Sequence, residues 1–401
     1  MQHLRWRRGR YTVPAAVIAV IGGTALVPAL GGASAPPSLP SATPAQLIAD
    51  MAQARVPSLW GTLTWTADLG LSDLSTVESE LGQGGAGSSS GSSGGPNGEG
   101  PESQESATGT DLLNFLSGSY QFDLWLGGAA AEHIAFSPSD DQEVDLVRNG
   151  NELWLWDSTG SKVTHVVFEG RAAASEGTTA QPAPPELTPQ QFASRLLAHL
   201  GPTTSVTAGT PLYVAGQPAY QLLFAPKSSP GTTVDYIEVD VGSGGSLLGV
   251  PLRVAVYATG QSAPAIELGF TGTLNIGQPP ASELTFSPPP GSQVVTHQFS
   301  GDPKSRLRDL SAHRLLGAGN GLRAEGTGWG SFVTGTDQGL VNALQNPAFL
   351  GLTSAVQVSG QPARLLGTSL LNVLVLQNGS FYAGFVTPSV LESAASSGPN
   401  A

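Results

Sequence analysis

The segment Gln142–Asp157, QEVDLVRNGNELWLWD, predicts a β-hairpin. Two runs of alternating apolar and polar residues flank Asn149-Gly150. This dipeptide favours a type I′ turn, which needs positive φ at both central residues. The cross-strand pairs that this turn predicts on one face are Leu146 with Leu153 and Val144 with Leu155.

The other face of this hairpin carries two tryptophans. Side chains of a strand alternate with period two, so Asp145 is predicted opposite Trp154 and Glu143 opposite Trp156. Because one aliphatic face is enough for a core, the tryptophans are predicted either to support the helices or to contact a ligand.

Other segments show the same alternation and are bounded by glycine or proline. WGTLTWTADLG places Leu63 and Trp65 on one face, and SYQFDLWLGG places Tyr120, Phe122 and Leu124 on one face. Further predicted strands are KVTHVVFEG, AYQLLFAP, TTVDYIEVDVG, PLRVAVYATG and AIELGFTGTLNI. Their order predicts a mainly β (α+β) protein with a sequential antiparallel sheet and inserted helices.

Three helices are predicted by a shared N-terminal Thr-Pro pair. Threonine at the N-cap accepts a hydrogen bond from a backbone N–H of the first turn. Proline fits the next position because the N–H that it lacks has no partner within the helix there. The segments are TPAQLIADMAQA from Thr43, TPQQFASRLLAHL from Thr188 and TPSVLESAA from Thr387. In the second, Phe192, Leu196 and Leu200 form one apolar stripe, so this helix is predicted to cover the sheet.

The composition excludes several classes of protein. The 401 residues include no cysteine, which excludes disulfides, thiolate nucleophiles and thiolate metal sites. A net charge of −13 argues against a nucleic-acid partner, which needs a clustered basic surface. The 52 glycines and 31 prolines are typical of a turn-rich β protein with low-complexity inserts.

The first 35 residues have the pattern of an export signal. Four arginines and no acidic residue precede the apolar run Val13–Leu30, and Ala33-Ser34-Ala35 forms a small-x-small cleavage pattern. Since Pro36 is a poor residue after a cleavage site, both a cleaved signal peptide and an uncleaved membrane anchor remain open. The positive-inside rule places the rest of the chain outside the cytoplasm in either case.

Low-complexity segments divide the rest of the chain. Residues 82–110 are rich in glycine, serine and glutamate, and are predicted to be disordered because they bury too little apolar area. Residues 171–186 are predicted as a loop. Residues 297–327 are predicted as a linker to a small C-terminal α/β module at 328–395, which contains a second hairpin at Asn378-Gly379.

No motif indicates catalysis. Gly82-x-Gly84-x-x-Gly87 and Gly87-x-Ser89-x-Gly91 lie in the predicted disordered insert, without the strand and helix that such motifs need. The histidines lack metal-ligand spacing and are predicted to be isolated surface or strand-edge residues. The acidic residues around Glu143 and Asp145 are predicted as a solvated run rather than a glycosidase pair. We therefore expect no catalytic residue, metal or cofactor.

The order of these segments resembles the LolA-like superfamily of envelope proteins, which holds lipoprotein carriers, mycobacterial-type lipid carriers and the N-terminal domain of RseB/MucB sigma-factor regulators. The resemblance covers about residues 43–296. It rests on PAQLIADMAQARVPSLWGTLTWTADLG, VRNGNELWLWDSTGSKVTH, TPQQFASRLLAHLGPTTSV, VAGQPAYQLLFAP and GVPLRVAVYA. It implies a curved antiparallel sheet that forms an incomplete β-barrel covered by helices. The lipobox cysteine of lipid-anchored members is missing.

The resemblance implies a non-enzymatic, extracytoplasmic protein that binds a lipid or the acyl chains of a lipoprotein in an apolar cavity. The alternative is an RseB/MucB-like regulator that binds an envelope partner such as an anti-sigma factor. Which face of the sheet is concave stays open. The candidate ligand-binding residues are Leu63, Trp65, Tyr120, Phe122, Leu124, Trp154, Trp156, Phe192, Leu196, Tyr220, Phe224, Tyr236 and Phe270.

Overall fold

The computed structural model describes residues 35–71, 118–128, 131–139, 142–169, 201–228, 231–300, 322–338, 340–341 and 350–397. Most of the predicted export segment, the 82–110 insert, the 171–186 loop and the helix predicted from Thr188 lie outside these residues. The prediction of a mainly β protein is confirmed, since the described residues form nineteen strands and two α-helices.

The helices are α1 (Pro44–Gln53) and α2 (Pro388–Ser397). Both begin directly after the predicted threonine, and the Thr43 side chain and Gln46 form a reciprocal capping box at α1. The strands of the first sheet are β1 (Leu59–Ala67), β2 (Ser119–Leu126), β3 (Ala131–Ser139), β4 (Gln142–Asn149), β5 (Glu152–Asp157), β6 (Lys162–Glu169), β7 (Thr204–Ala208), β8 (Leu212–Val214), β9 (Gln217–Pro226), β10 (Val234–Gly242), β11 (Pro251–Ala258), β12 (Pro264–Ile276) and β13 (Gln293–Ser300).

These thirteen strands form one large sheet in the order β13-β6-β5-β4-β3-β2-β1-β12-β11-β10-β9-β7, with β8 also paired to β9. β1 joins two antiparallel halves, because it pairs with β2 on one side and with β12 on the other. The sheet is mixed rather than wholly antiparallel, since β13 runs parallel to β6. Its two end strands, β13 and β7, are not paired with each other, so the described strands form an open sheet.

The hairpin of β4 and β5 has the predicted faces but a different register. Asp145 pairs with Trp156 and Leu146 with Leu155, two residues away from the predicted partners. The prediction was wrong because the central turn residues are Gly150 and Asn151 rather than Asn149 and Gly150. Gly150 has a φ of 60° while Asn151 does not have positive φ, which fits a type II′ turn.

The two faces of the large sheet are covered differently. α1 packs on one face, which we call the α1 face, where Leu47 and Ile48 form a buried cluster with Leu222 and Val239. The chain between β12 and β13, residues 277–292, crosses the opposite face. We call this segment the strap and the face beneath it the strap face.

The second sheet follows in the chain and contains six antiparallel strands. In spatial order they are β14 (Arg323–Glu325), β15 (Phe332–Thr336), β19 (Ser380–Gly384), β18 (Asn372–Leu376), β17 (Gln361–Gly367) and β16 (Thr353–Val358). α2 covers one face, where Leu391 is buried against Leu374 and Tyr382. β18 and β19 form the hairpin predicted at Asn378-Gly379. The predicted linker 297–327 overlaps β13 at one end and β14 at the other.

The two sheets are joined by a buried, hydrogen-bonded contact. Leu370, which is fully buried, lies in one cluster with Leu69 and Trp329. The Thr233 hydroxyl donates a hydrogen bond to the Leu370 carbonyl at 2.6 Å, and the Trp329 indole N–H donates to Thr204 Oγ1 at 2.8 Å. These two hydrogen bonds cross the contact, so the sheets are joined by polar as well as apolar interactions.

We expect Leu370→Ala to lower the free energy of unfolding by about 2–5 kcal/mol, because it empties a fully buried site between the sheets. Urea unfolding followed by tryptophan fluorescence measures this loss. Leu248→Ala is the matched control, since Leu248 is 45% exposed and its truncation is expected to change stability by less than about 0.5 kcal/mol. Equal losses for both variants would contradict a stabilising junction.

Candidate functional site

Most of the predicted ligand-binding residues lie on the α1 face. Register places Leu63 between Phe122 and Phe270, and Trp65 beside Tyr120. The Phe136 ring lies 5.3 Å from the Phe122 ring, so aromatic contacts continue on this face into β3. Trp65 and Phe122 are buried and the others are half-buried. The eight predicted residues on this face are Leu63, Trp65, Tyr120, Phe122, Leu124, Tyr220, Phe224 and Phe270.

Three other candidates lie on the strap face. The rings of Trp154 and Trp156 are 5.6 and 6.3 Å from the ring of Phe286 in the strap, and Tyr236 stacks on Tyr257 at 4.2 Å. The two tryptophans therefore contact the strap rather than one of the predicted helices. The remaining two candidates, Phe192 and Leu196, lie outside the described residues.

The strap is held close to the sheet by backbone carbonyls. The Glu283 carbonyl lies 2.8 Å from His133 Nδ1, and the Leu284 carbonyl accepts a hydrogen bond from the Asn149 side-chain amide at 3.3 Å. A Cβ at Gly127 would come within 2.3 Å of the end of the Leu284 side chain, so the strap passes close to the backbone there. Sequence analysis missed the strap, although Phe286 among the prolines of GQPPASELTFSPPPGS was an available signal.

His133 lies between the strap and a carboxylate. Its Nε2 is 3.0 Å from Asp145 Oδ1, its Nδ1 faces the Glu283 carbonyl, and its ring stacks on Trp125 at 4.6 Å. The His133 side chain is only 13% exposed. The prediction of isolated surface or strand-edge histidines was therefore wrong here, because Asp145 and Glu283 reach His133 only through pairing of separate strands and the strap.

His165 repeats part of this arrangement on β6. Its ring stacks on Trp154 at 3.7 Å with an interplanar angle of 8°. Its Nε2 is 3.6 Å from Glu152 Oε2 and makes no hydrogen bond. Asp145 is buried, so the prediction that it belongs to a solvated acidic run was wrong. Two tryptophan–histidine stacks, each with a carboxylate, thus lie on the strap face.

One arginine holds three carboxylates on the strap face of β10, β11 and β12. Arg253 donates hydrogen bonds to Glu238, Asp240 and Glu267. Asp240 is fully buried and its Oδ1 has no hydrogen-bond partner. Burial raises the pKa of Asp240 to about 6, although Arg253 opposes this shift. The described residues contain no cluster of His, Asp or Glu that could hold a metal ion.

Two cavities open on the described surface. One of about 420 Å³ lies between α1 and β9 and includes Asp50 and Tyr220 in its lining. The other, of about 610 Å³, runs along β16 and β17 and includes Gln357 and Arg364. Both linings mix polar and apolar side chains. No helix in the described part of the chain has the length and hydropathy of a membrane span.

No protein-family model and no curated protein matches this chain. Among solved structures, it is similar to a chain of the Pseudomonas aeruginosa MucA/MucB complex, with 15% identity and a TM-score of 0.36 over 87% of this chain and 94% of that one. MucB in complex with MucA(peri) shows 14% identity and a TM-score of 0.36, again over 87% of this chain and 94% of that one. MucB alone shows 13% identity and a TM-score of 0.34 over 86% of this chain and 94% of that one. The resemblance seen in the sequence is thus accompanied by structural similarity to MucB over most of the chain. At these TM-scores, the similarity carries no argument about function.

We expect Asp240 to make the protein less stable as pH rises from about 4 to about 6. The folded state then binds a proton that the unfolded state has released, since the carboxyl has a raised pKa only when folded. A shift from 3.8 to about 6 corresponds to about 3 kcal/mol. Asp240→Asn removes this contribution, so the variant should gain stability relative to the natural chain by about that amount between pH 4 and pH 7.

Urea unfolding at pH 4, 5, 6 and 7 measures this difference. Asp235→Asn, on the same strand but at an exposed position, is the control and should follow the pH profile of the natural chain. A profile for Asp240→Asn parallel to that of the natural chain would show that folding does not raise the pKa of the Asp240 carboxyl.

Proposed function

We propose that this chain is a non-enzymatic protein outside the cytoplasm that binds an extended segment of a partner protein along β16 of the second sheet. The observation that carries the proposal is the exposed edge of that sheet. Among the strands of the described residues β16 is its terminal strand, and Ser354, Ala355 and Gln357 are exposed. An unpaired strand edge offers backbone N–H and C=O groups to a further strand.

The edge lacks the devices that usually prevent such pairing. The sequence of β16, TSAVQV, contains no charge and no proline, and its register with β17 is continuous, without a bulge. The connection to β17 is a two-residue turn, Ser359-Gly360, in which both residues have positive φ. This type I′ turn matches the twist of the two strands.

The cavity along β16 supports a partner of particular chemistry. Its lining places Ala355 and Gln357 beside Arg364, and no ion pair within the described residues uses Arg364. An added strand with an acidic side chain opposite Arg364 would complement this charge. A second copy of the chain is disfavoured, because each carries a net charge of −13 and the copies repel each other.

Cross-linking in cells tests this proposal. A photoreactive phenylalanine analogue at Gln357 should cross-link to an extended, acidic segment of another envelope protein, and Arg364→Glu should reduce the yield by roughly tenfold or more through like-charge repulsion. The analogue at Gln261, an exposed turn residue of the large sheet, is the control. Cross-links only to this chain, or a yield unchanged by Arg364→Glu, would contradict the proposal.

The proposed location and lack of catalysis have support from the chain itself. The arginines before the apolar run at 13–30 and the small-x-small motif at 33–35 support export, whether or not the segment is cleaved. A serine nucleophile is commonly activated by a histidine base beside its hydroxyl. His133 instead contacts Asp145 and the Glu283 carbonyl, which supports a structural role.

A second candidate function is binding of a lipid or lipoprotein acyl chain on the α1 face. It is favoured by the shared position of the eight candidates, of which Leu63, Tyr120 and Leu124 are half-buried. The curved, incomplete barrel that the resemblance implies would enclose such a chain there. Each buried methylene contributes about 0.8 kcal/mol, so a dozen carbons would give useful affinity.

Native mass spectrometry with lipid extraction of the purified chain tests this second candidate. A near-stoichiometric acyl species should be retained by the natural chain and depleted in Leu63→Ser and Leu124→Ser. Trp156→Ser is the control on the strap face and should keep the ligand. A natural chain that is empty and takes up no added phospholipid would exclude acyl binding, whatever the cross-linking shows.

A further inference from the structure

We propose that the strap is a pH-sensitive element, closed on the large sheet when His133 is protonated and loosened when this proton is lost. The inference does not depend on which partner or ligand the protein binds. It rests on the hydrogen bonds of one half-buried imidazole and on the charges that surround it.

Both ring nitrogens of His133 face acceptors. Nδ1 is 2.8 Å from the Glu283 carbonyl, which can only accept, and Nε2 is 3.0 Å from Asp145 Oδ1. A neutral imidazole has one donor, whereas the imidazolium ion has two. The two contacts are therefore satisfied together only when the His133–Asp145 pair holds one proton more than a neutral imidazole and an ionised carboxylate.

Loss of this proton leaves an unfavourable contact. A lone pair of His133 would then face either the Asp145 carboxylate or the Glu283 carbonyl, while both side chains are only 12–13% exposed. Water replaces the lost donor poorly at this burial, so the ring or the strap has to move. Trp125 covers one side of the ring at 4.6 Å, which also favours the cation.

The charged groups that face His133 from the neighbouring elements share one sign. The charged groups on this face from β2, β4, β5 and the strap are all carboxylates in the described part of the chain: Asp123, Glu143, Asp145, Glu152 and Glu283. His165 has a similar setting, since its Nε2 is 3.6 Å from Glu152 Oε2 and its ring stacks on Trp154. Trp154 in turn contacts Phe286, so the strap has a second link to a histidine ring of the sheet.

Histidine is the side chain that ordinarily changes charge between pH 5 and 8, so we expect the strap to loosen as the pH rises, and we compare pH 5.5 with pH 7.5. Hydrogen exchange of the full-length chain, corrected for the intrinsic rate at each pH, measures this directly. Peptides from 277–292 should lose protection by roughly tenfold as pH rises through this range. Peptides from β18 and β19 of the second sheet should keep theirs.

Two substitutions separate the proton switch from general destabilisation. His133→Gln removes the titrating ring, and the strap should show low protection at every pH. Asp145→Asn supplies a side-chain amide that donates to Nε2, so a neutral His133 can donate from Nδ1 to the strap. The strap of this variant should stay protected up to pH 7.5.

His297→Gln is the control, since His297 lies on β13 at a position of the opposite face and should leave the transition unchanged. Three results would overturn the proposal: a strap equally protected at pH 5.5 and 7.5 in the natural chain, an Asp145→Asn variant that loosens like the natural chain, or loss of the transition in His297→Gln. A variant that unfolds globally is recognised by loss of protection in β18 and β19.

Discussion

The pairing of β1 with β12 is the constraint on which the rest of the large sheet depends. β1 lies between the β2–β6 half and the β9–β12 half, and its residue Thr64 pairs with Gly269 more than 200 positions later. The alternation of β1 provides an apolar face through Leu63 and Trp65 and a polar face through its threonines. On the polar face, Thr64 and Thr271 hydroxyls are 2.8 Å apart, so the long-range pairing is also satisfied between side chains.

The position of β12 makes a strap necessary. β12 ends in the middle of the sheet, whereas β13 pairs with β6 at its edge, so the chain has to cross the intervening strands. A parallel pair needs such a crossover, and here it is an irregular segment rather than a helix. The crossing segment packs on this face through ring contacts, because Trp154 and Trp156 contact Phe286.

Period-two alternation predicted the faces of the sheet because it depends only on local backbone geometry. The face assignments at Trp154 and Trp156 survived the wrong register, since an error of two residues preserves which side each side chain occupies. The turn could not be resolved locally, because Asn149, Gly150 and Asn151 offer two overlapping turn sites. The contacts of His133 could not be predicted from local sequence patterns. Asp145 reaches it through the pairing of β3 with β4, and Glu283 reaches it through the strap.

The two faces of the sheet consequently have different physical sensitivities. The α1 face is held by burial of aliphatic and aromatic side chains such as Leu47, Leu222 and Trp65, an attraction that does not change with protonation. The contacts of the strap face include hydrogen bonds and ring contacts among carboxylates and histidines. These interactions change when a histidine gains or loses a proton. Because successive side chains of a strand point to opposite faces, β4 contributes Leu146 to the α1 face and Asp145 to the strap face. Rearrangement of the strap therefore need not disturb the apolar core.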